Sequence, residues 1–377
     1  RTGISSENTF LEKSKNVTLT NIETESNNDI VFINYENLLR DVNVDDRVFI
    51  DDGQIVLKVV EKENDKLEAL ILIGGELRDN QGVAFPDSNL SVSAITEKDI
   101  EHLKFGSEHD VDFVAVSFVR NASDINLVKE IIPKDIKVIA KIELKTALDN
   151  IDEILDVADG VMVARGDLGV QLPLEQVPFV QKQILDAANK RGKISITATE
   201  MLQSMKTSYR PTRAEVTDIT NAILEGSDAV MLSAETAAGQ YPVEAVYIMN
   251  RIINRTEQDD AYRAIMVTTH PDPERTAQDA ITAAARQVAE TIGATAIVTY
   301  TTSGSTTLRA ARERPEVPIL CLTEKRSTAN QLVLVWGIHS VITKDVRNFA
   351  DMIERACQIA CEQGLAKNGD RLVVTAG

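Results

Sequence analysis

At 377 residues the chain exceeds one compact core, so two or three domains are expected, and 43% hydrophobic with 26% charged residues marks a folded protein. A formal net charge of −18 and a pI near 4.8 argue against a nucleic-acid or anionic-membrane surface, because the mean field repels both; local basic pockets for small anions stay open. No apolar run approaches the ~18 residues of a membrane helix and no basic-then-apolar leader opens the chain, so a soluble protein is expected.

Residues 4–88 read as a small β domain. The runs "KNVTLT", "DIVFIN", "DRVFIDDGQIVLKVVEKE" and "KLEALILIGG" alternate or run apolar, and Asp-Asp-Gly at 51–53 supplies hairpin chemistry. Over 89–257 the rhythm changes to strand, helix, strand, helix, with strands predicted at 111–118, 136–143, 159–167, 193–201 and 228–236. Each is apolar at nearly every position, as suits a strand covered on both faces, with helical patterns such as "ALDNIDEILDVA" and "VPFVQKQILDAANKRG" between them.

Repeated βα units imply a parallel sheet, open or closed into a barrel. Every strand finishes in polar or small residues: Ser117; Lys141 and Glu143; Arg165, Gly166 and Asp167; Thr199 and Glu200; Ser233 and Glu235. Chemistry gathered at so many carboxyl ends favours the (β/α)8 TIM barrel, since an open sheet concentrates its site at one switch point. Five units are visible, so closure calls for three more before Arg1.

An acidic link, "NRTEQDDAYR", leads into a second α/β domain over 258–377. A helix over 274–293, strands "TAIVTYT", "VPILCLTE", "HSVITK" and "DRLVVTAG", and helices "STANQLVLVW" and 348–366 are predicted there. Cys321, Cys357 and Cys361 are an odd, sparse set with no sequence-near His, so buried or half-buried free thiols in a reducing compartment are expected rather than zinc or a disulfide.

Side chains at i and i+2 of a strand share a face, so Lys141 and Glu143 point together and Ile142 points away. An isolated pair of this kind is also what a solvated strand end looks like. The next strand ends in Asp167, however, and a glutamate and an aspartate on adjacent strand ends can hold one Mg²⁺. A lysine beside them would neutralise charge on a transferring phosphoryl group or a developing enolate. In "ARGDLG", Gly166 lets the backbone approach a ligand, and its amides suit a carboxylate or phosphate. Thr199 and Ser233 offer hydroxyls that could equally be satisfied core groups. Thr301, Thr302, Ser303, Gly304, Ser305 and Thr306 have the composition of a phosphate cradle, and also of a Ser/Thr-rich helix cap.

Taken together, "VIAKIE", "VMVARGDLG", "TATEMLQSM", "RPTRAEVTDITNAILEGSDAVMLSAETAAGQYPVEAV" and "FIDDG" resemble pyruvate kinase over essentially the whole chain. The resemblance implies phosphoryl transfer from phosphoenolpyruvate to ADP, giving pyruvate and ATP, with Mg²⁺ (or Mn²⁺) and K⁺, in a cytoplasmic homotetramer. By matching motif, Lys141 would stabilise the transferring phosphoryl and the enolate, and Glu143 and Asp167 would hold Mg²⁺. The amides of Gly166 and Asp167 and the hydroxyl of Thr199 would bind the substrate carboxylate, with Ser233 on the proton-delivery side. Arg1 would reach nucleotide phosphates, Asp52 would face the site from a lid, and the Thr301–Thr306 loop would take a sugar-phosphate or nucleotide effector.

The implied architecture is a TIM barrel, a β lid inserted after its third strand, which residues 1–3 would end, and a C-terminal α/β regulatory domain. The family's first barrel strands, with a substrate-facing arginine and the K⁺ ligands, are then expected before Arg1 and a Gly-rich loop after Gly377, so the 377 residues alone are expected to be inactive. Gln81 stands where that family has a lid lysine, Glu200 where glutamine is common, and Leu144 where a polar residue usually follows the glutamate. Two other readings are a metal-dependent pyruvate aldolase or lyase and a non-catalytic metabolite-binding protein on the same fold. The inserted β segment and the position of Lys141 speak against the first, and the joint presence of Lys141, Glu143, Asp167 and Thr199 against the second.

Overall fold

The computed structural model describes residues 1–6, 9–88, 90–91, 94–269 and 275–376. Its first sheet has six strands, in the order Ile30–Phe32, Asn16–Thr20, Leu67–Ile73, Ile55–Lys62, Arg47–Ile50 and Val83–Ala84. Alternation decides which face is buried: Ile55, Leu57 and Val59 turn inward and meet Leu19, Leu67, Ala69 and Ile71 in one core. The predicted hairpin is present, with Ile50 paired to Ile55 and positive φ at Asp51, Asp52 and Gly53, a conformation that aspartate and glycine tolerate best.

The second sheet is parallel, in the order Ala229–Val230, Ile194–Ala198, Gly160–Ala164, Lys137–Ile142 and Phe113–Val116. Its outer face, carrying Val138, Ala140 and Ile142, packs on Ile125, Val128, Ile154 and Leu155 of the covering helices. The inner face, with Ile139, Met162, Ile194 and Ile196, forms a different cluster. This is the curled wall of an α/β barrel, with Lys141 following Ile139 on the inner face.

The strands are shorter than predicted. The one placed at 159–167 stops at Ala164 and a helix, Arg165–Gln171, begins at once, so Arg165, Gly166 and Asp167 lie in a helical first turn and not in the strand. The one placed at 228–236 is only Ala229–Val230, and Glu235 lies in the helix Ala234–Ala237. Beyond these ends the chain turns into helices, and the side chains of Arg165 and Glu235 bond to neighbouring loops.

The third sheet is parallel, in the order Ile338–Ile342, Ile319–Thr323, Ala296–Tyr300 and Leu372–Ala376. Helices Ala277–Ile292, Ser305–Arg312, Arg326–Gln331 and Phe349–Glu362 accompany it. The helix predicted from residue 274 starts at a position outside the described residues. The acidic link proves to be a short break between helices Pro242–Glu257 and Asp260–Thr268, capped by Asp259, whose carboxylate accepts from the amide of Ala261 at 3.1 Å. Cys321 is buried, as expected, but Cys357 and Cys361 are exposed free thiols, because Ala356, Ile359 and Ala360 form the inward face of their helix.

This last domain covers the amino ends of the barrel strands. Ala310, Ala311, Leu332 and Val335 pack on Ile139 and Ile194. Arg314 donates to Asp228 Oδ1 at 2.9 Å and to the carbonyl of Gly226 at 2.7 Å, and lies over the ring of Trp336, which donates to Glu257 at 2.7 Å. The carboxyl ends, where barrel chemistry is placed, stay clear of it.

Candidate functional site

Register sets the site. Lys141 is level with Met162 on the neighbouring strand, so Glu143 and the residues after Ala164 reach the same edge of the barrel. The ammonium of Lys141 lies 2.5 Å from Glu143 Oε1 and donates to Ser117 Oγ at 2.8 Å. Glu143 Oε2 accepts from the amide of Phe118 at 2.6 Å. Ser117 and Phe118, at the end of the adjacent strand, thus hold both members of the pair.

Glu143 is 1% exposed, and burial pushes its carboxyl above the ordinary range despite Lys141 and the Phe118 amide, with the charge of Asp167 adding to the rise. The carboxyl of Asp167 is raised too, chiefly by the surrounding protein; Lys141 opposes this and the charge of Asp52 reinforces it. Asp167 is itself an exposed residue, so solvent screens the charges around it. Asp52 lies on the hairpin turn of the first sheet, and its charge is felt at Asp167.

Thr199 follows its strand with φ of +68°, an uncommon conformation for a β-branched residue, and Glu200 follows with +56°. Arg165 holds this strained turn, donating to the carbonyls of Ala198 at 3.2 Å and Thr199 at 2.6 Å while its remaining nitrogen, Nη1, reaches both carboxylate oxygens of Asp218 at 2.6 and 2.7 Å. The Thr199 hydroxyl accepts from the amide of Gly166 at 2.9 Å. A Cβ on Gly166 would sit 3.7 Å from that hydroxyl and fill the space above it, so glycine keeps a small cradle open. The amide and hydroxyl expected to meet a ligand carboxylate are bonded to each other here.

Ser233 is one strand further on, and its amide donates to Glu235 Oε2 at 2.8 Å. The other oxygen of this buried carboxylate accepts from the amide of Leu202 at 3.1 Å, tying the Thr199 and Ser233 loops together. Arg1 lies at the root of the first sheet, with its guanidinium on the carbonyl of Asn80 at 3.4 Å. Gln81 is buried there, exchanging 2.9 Å bonds with Thr2, so it fastens the chain and does not present a side chain to the site. Leu144 is the residue before the short helix Lys145–Asp149.

The Thr301–Thr306 segment, whose last two residues open helix Ser305–Arg312, follows the Ala296–Tyr300 strand of the other parallel sheet, away from Lys141. Gly304, with φ of +88°, donates to Thr301 Oγ1 at 2.9 Å, and Ser303 bonds Ser305 at 3.2 Å. Phe118, Arg165, Asp218 and Glu235 were given no role by sequence reasoning. Arg165 and Glu235 had a signal in their strand-end positions; Phe118 and Asp218 had none.

Two hard carboxylate donors, each disfavoured as an anion by its surroundings and set beside one lysine, fit a Mg²⁺ ion that keeps waters and substrate oxygens. Among the described residues no group of three His, Cys, Asp or Glu side chains converges as a transition-metal cage would.

The family description "Pyruvate kinase, barrel domain" matches residues 1–246, and "Pyruvate kinase, alpha/beta domain" matches 279–377. A pyruvate kinase of Methylorubrum extorquens is 44% identical over 97% of this chain and 77% of its own length. One from Geobacillus stearothermophilus is 43% identical over 92% of this chain, which spans 60% of that relative. A crystal structure of a pyruvate kinase from Cryptosporidium parvum superposes with a TM-score of 0.95 at 32% identity, covering 100% of this chain and 79% of that one.

Proposed function

The chain belongs to the pyruvate kinase family, and we propose that the full-length protein performs phosphoryl transfer from phosphoenolpyruvate to ADP, with Lys141, Glu143 and Asp167 as its chemical centre. A β-phosphate oxygen of ADP forms the new bond to phosphorus, the bond from phosphorus to the enol oxygen breaks, and the enolate takes a proton at its methylene carbon to become pyruvate. One observation carries the reading. The Lys141 ammonium is held by Ser117 and Glu143 at the carboxyl end of the barrel, a fixed positive charge where negative charge develops.

Glu143 and Asp167 would hold Mg²⁺, which supplies Lewis-acid neutralisation of phosphoryl oxygens when bound. The first-turn amides at Gly166 and Asp167 and the Thr199 hydroxyl orient the substrate carboxylate, exchanging their mutual bond for it. Ser233, held by Glu235, is on the side from which the enolate is protonated. Asp52 and Arg1 face the nucleotide from the first sheet, and the Thr301–Thr306 loop takes the phosphate of a sugar or nucleotide effector. Potassium dependence, a homotetramer and a cytoplasmic location complete the reading, in line with the absence of any helix among the described residues long and apolar enough to cross a membrane.

The test is pyruvate formation followed with lactate dehydrogenase and NADH. Turnover should require phosphoenolpyruvate, ADP and a divalent cation, and Lys141→Met should lower kcat about 10²- to 10³-fold. Cleavage of a carbon skeleton to pyruvate without ADP, or full activity of the methionine variant, would overturn it.

A further inference from the structure

We propose that the Ser117–Phe118 turn is the positioning element for the Lys141–Glu143 pair, and that the left-handed backbone of Phe118 exists to aim its amide at Glu143. This rests on the reading of Glu143 as a divalent-cation ligand. Phe118 has φ of +55°, and it is the only aromatic among the described non-glycine residues with positive φ. Most of the others are aspartate, asparagine or serine in turns, which bear that conformation at small cost. Burial does not offset the strain, since Phe118 is 55% exposed.

The strained amide does one visible thing: it donates to Glu143 Oε2 at 2.6 Å. Its neighbour Ser117 accepts from Lys141 at 2.8 Å, so two successive residues hold the anion by a main-chain donor and the cation by a side-chain acceptor. Val116 and Val119, both buried, anchor the turn on either side and leave it little freedom to shift. Left-handed backbone also recurs at Thr199 and Glu200 on the same rim, the clustering expected where strain is kept for pre-organisation.

Backbone aiming and ring packing predict opposite results for two substitutions. Glycine adopts positive φ freely and keeps the amide, so Phe118→Gly should hold Mn²⁺ within about twofold of wild type, read as free Mn²⁺ by electron paramagnetic resonance. Phe118→Val disfavours that φ and should weaken Mn²⁺ binding about tenfold, the size seen when a metal ligand loses its orienting partner. Equal losses in both variants, or none in the valine variant, would overturn the proposal. Selective ¹⁵N-Phe labelling of the nine phenylalanines gives a second readout. The Phe118 amide should lie far downfield and move upfield in Glu143→Gln; an amide indifferent to that change also overturns it. Failure of wild type to bind Mn²⁺ with the amide response intact would sink the metal reading and leave the turn's role standing.

Discussion

At the end of strand Lys137–Ile142 the chain buries a carboxylate, whereas at the equivalent end of Ala296–Tyr300, in the other parallel sheet, it places only hydroxyls. The first junction is electrostatically incomplete: Glu143 and Asp167 are both pushed toward their neutral forms, and, among the described residues, the ammonium of Lys141 pairs with Glu143 alone. The second is closed on itself, with Gly304 on Thr301, Ser303 on Ser305, and Thr299 on Thr307 at 2.7 Å. The difference suits the roles proposed for them: a site stabilising transient charge would hold its groups ready at a standing cost, while a loop taking an effector phosphate would rest in a satisfied state.

The sharpest way to break this contrast is to neutralise the buried carboxylate without changing its shape. Glu143→Gln should weaken divalent-cation affinity by at least about tenfold to a hundredfold while changing thermal stability less, because removal of an anion that burial disfavours is offset by loss of the ion pair with Lys141. Calorimetric titration with Mn²⁺ together with melting curves would show both. A fall in stability with affinity intact would mean that the carboxylate serves the fold and not a cation.

Arg165 tests the scaffold around the same junction. It is 11% exposed, but its partner Asp218 is 35% exposed, so the ion pair is screened on one side. Arg165→Gln should cost about 1–2 kcal/mol of stability and raise KM for the carboxylate substrate through release of the Thr199 turn. Mn²⁺ affinity should stay near wild type, since Glu143 and Asp167 are not among the partners of Arg165. Parallel loss of metal affinity would show that the two halves of the rim are not independent.

How much of this was legible in the sequence depends on which group of atoms carries each feature. Period-two alternation put Lys141 and Glu143 on one face with Ile142 on the other, because side-chain direction in a strand follows from position alone. The boundaries at Ala164 and Val230 were not legible, since they depend on where Arg165 and Glu235 find partners across the rim. The exposure of Cys357 and Cys361 was missed because each directly follows an inward residue, Ala356 or Ala360, and one step around a helix is enough to leave a narrow buried stripe. Phe118 was invisible for a different reason: its contribution is a main-chain amide in an unusual conformation, and no residue type announces that.

The smallest predicted effect lies at the hydroxyl loop. Gly304 sits at φ of +88°, and an added Cβ would meet Leu332 at 3.5 Å and Thr328 at 3.6 Å, both ordinary contacts. Gly304→Ala therefore tests backbone conformation alone and should lower stability by about 1 kcal/mol, seen as a fall in Tm, with kcat unchanged in the absence of effector. The exchange in the reverse direction at the catalytic rim, Phe118→Gly, should leave Tm level or raise it, since there a bulky residue already occupies the region that glycine prefers. If both substitutions lowered Tm equally, the aromatic ring would be stabilising the fold, and left-handed backbone would no longer distinguish the rim kept under strain from the loop at rest.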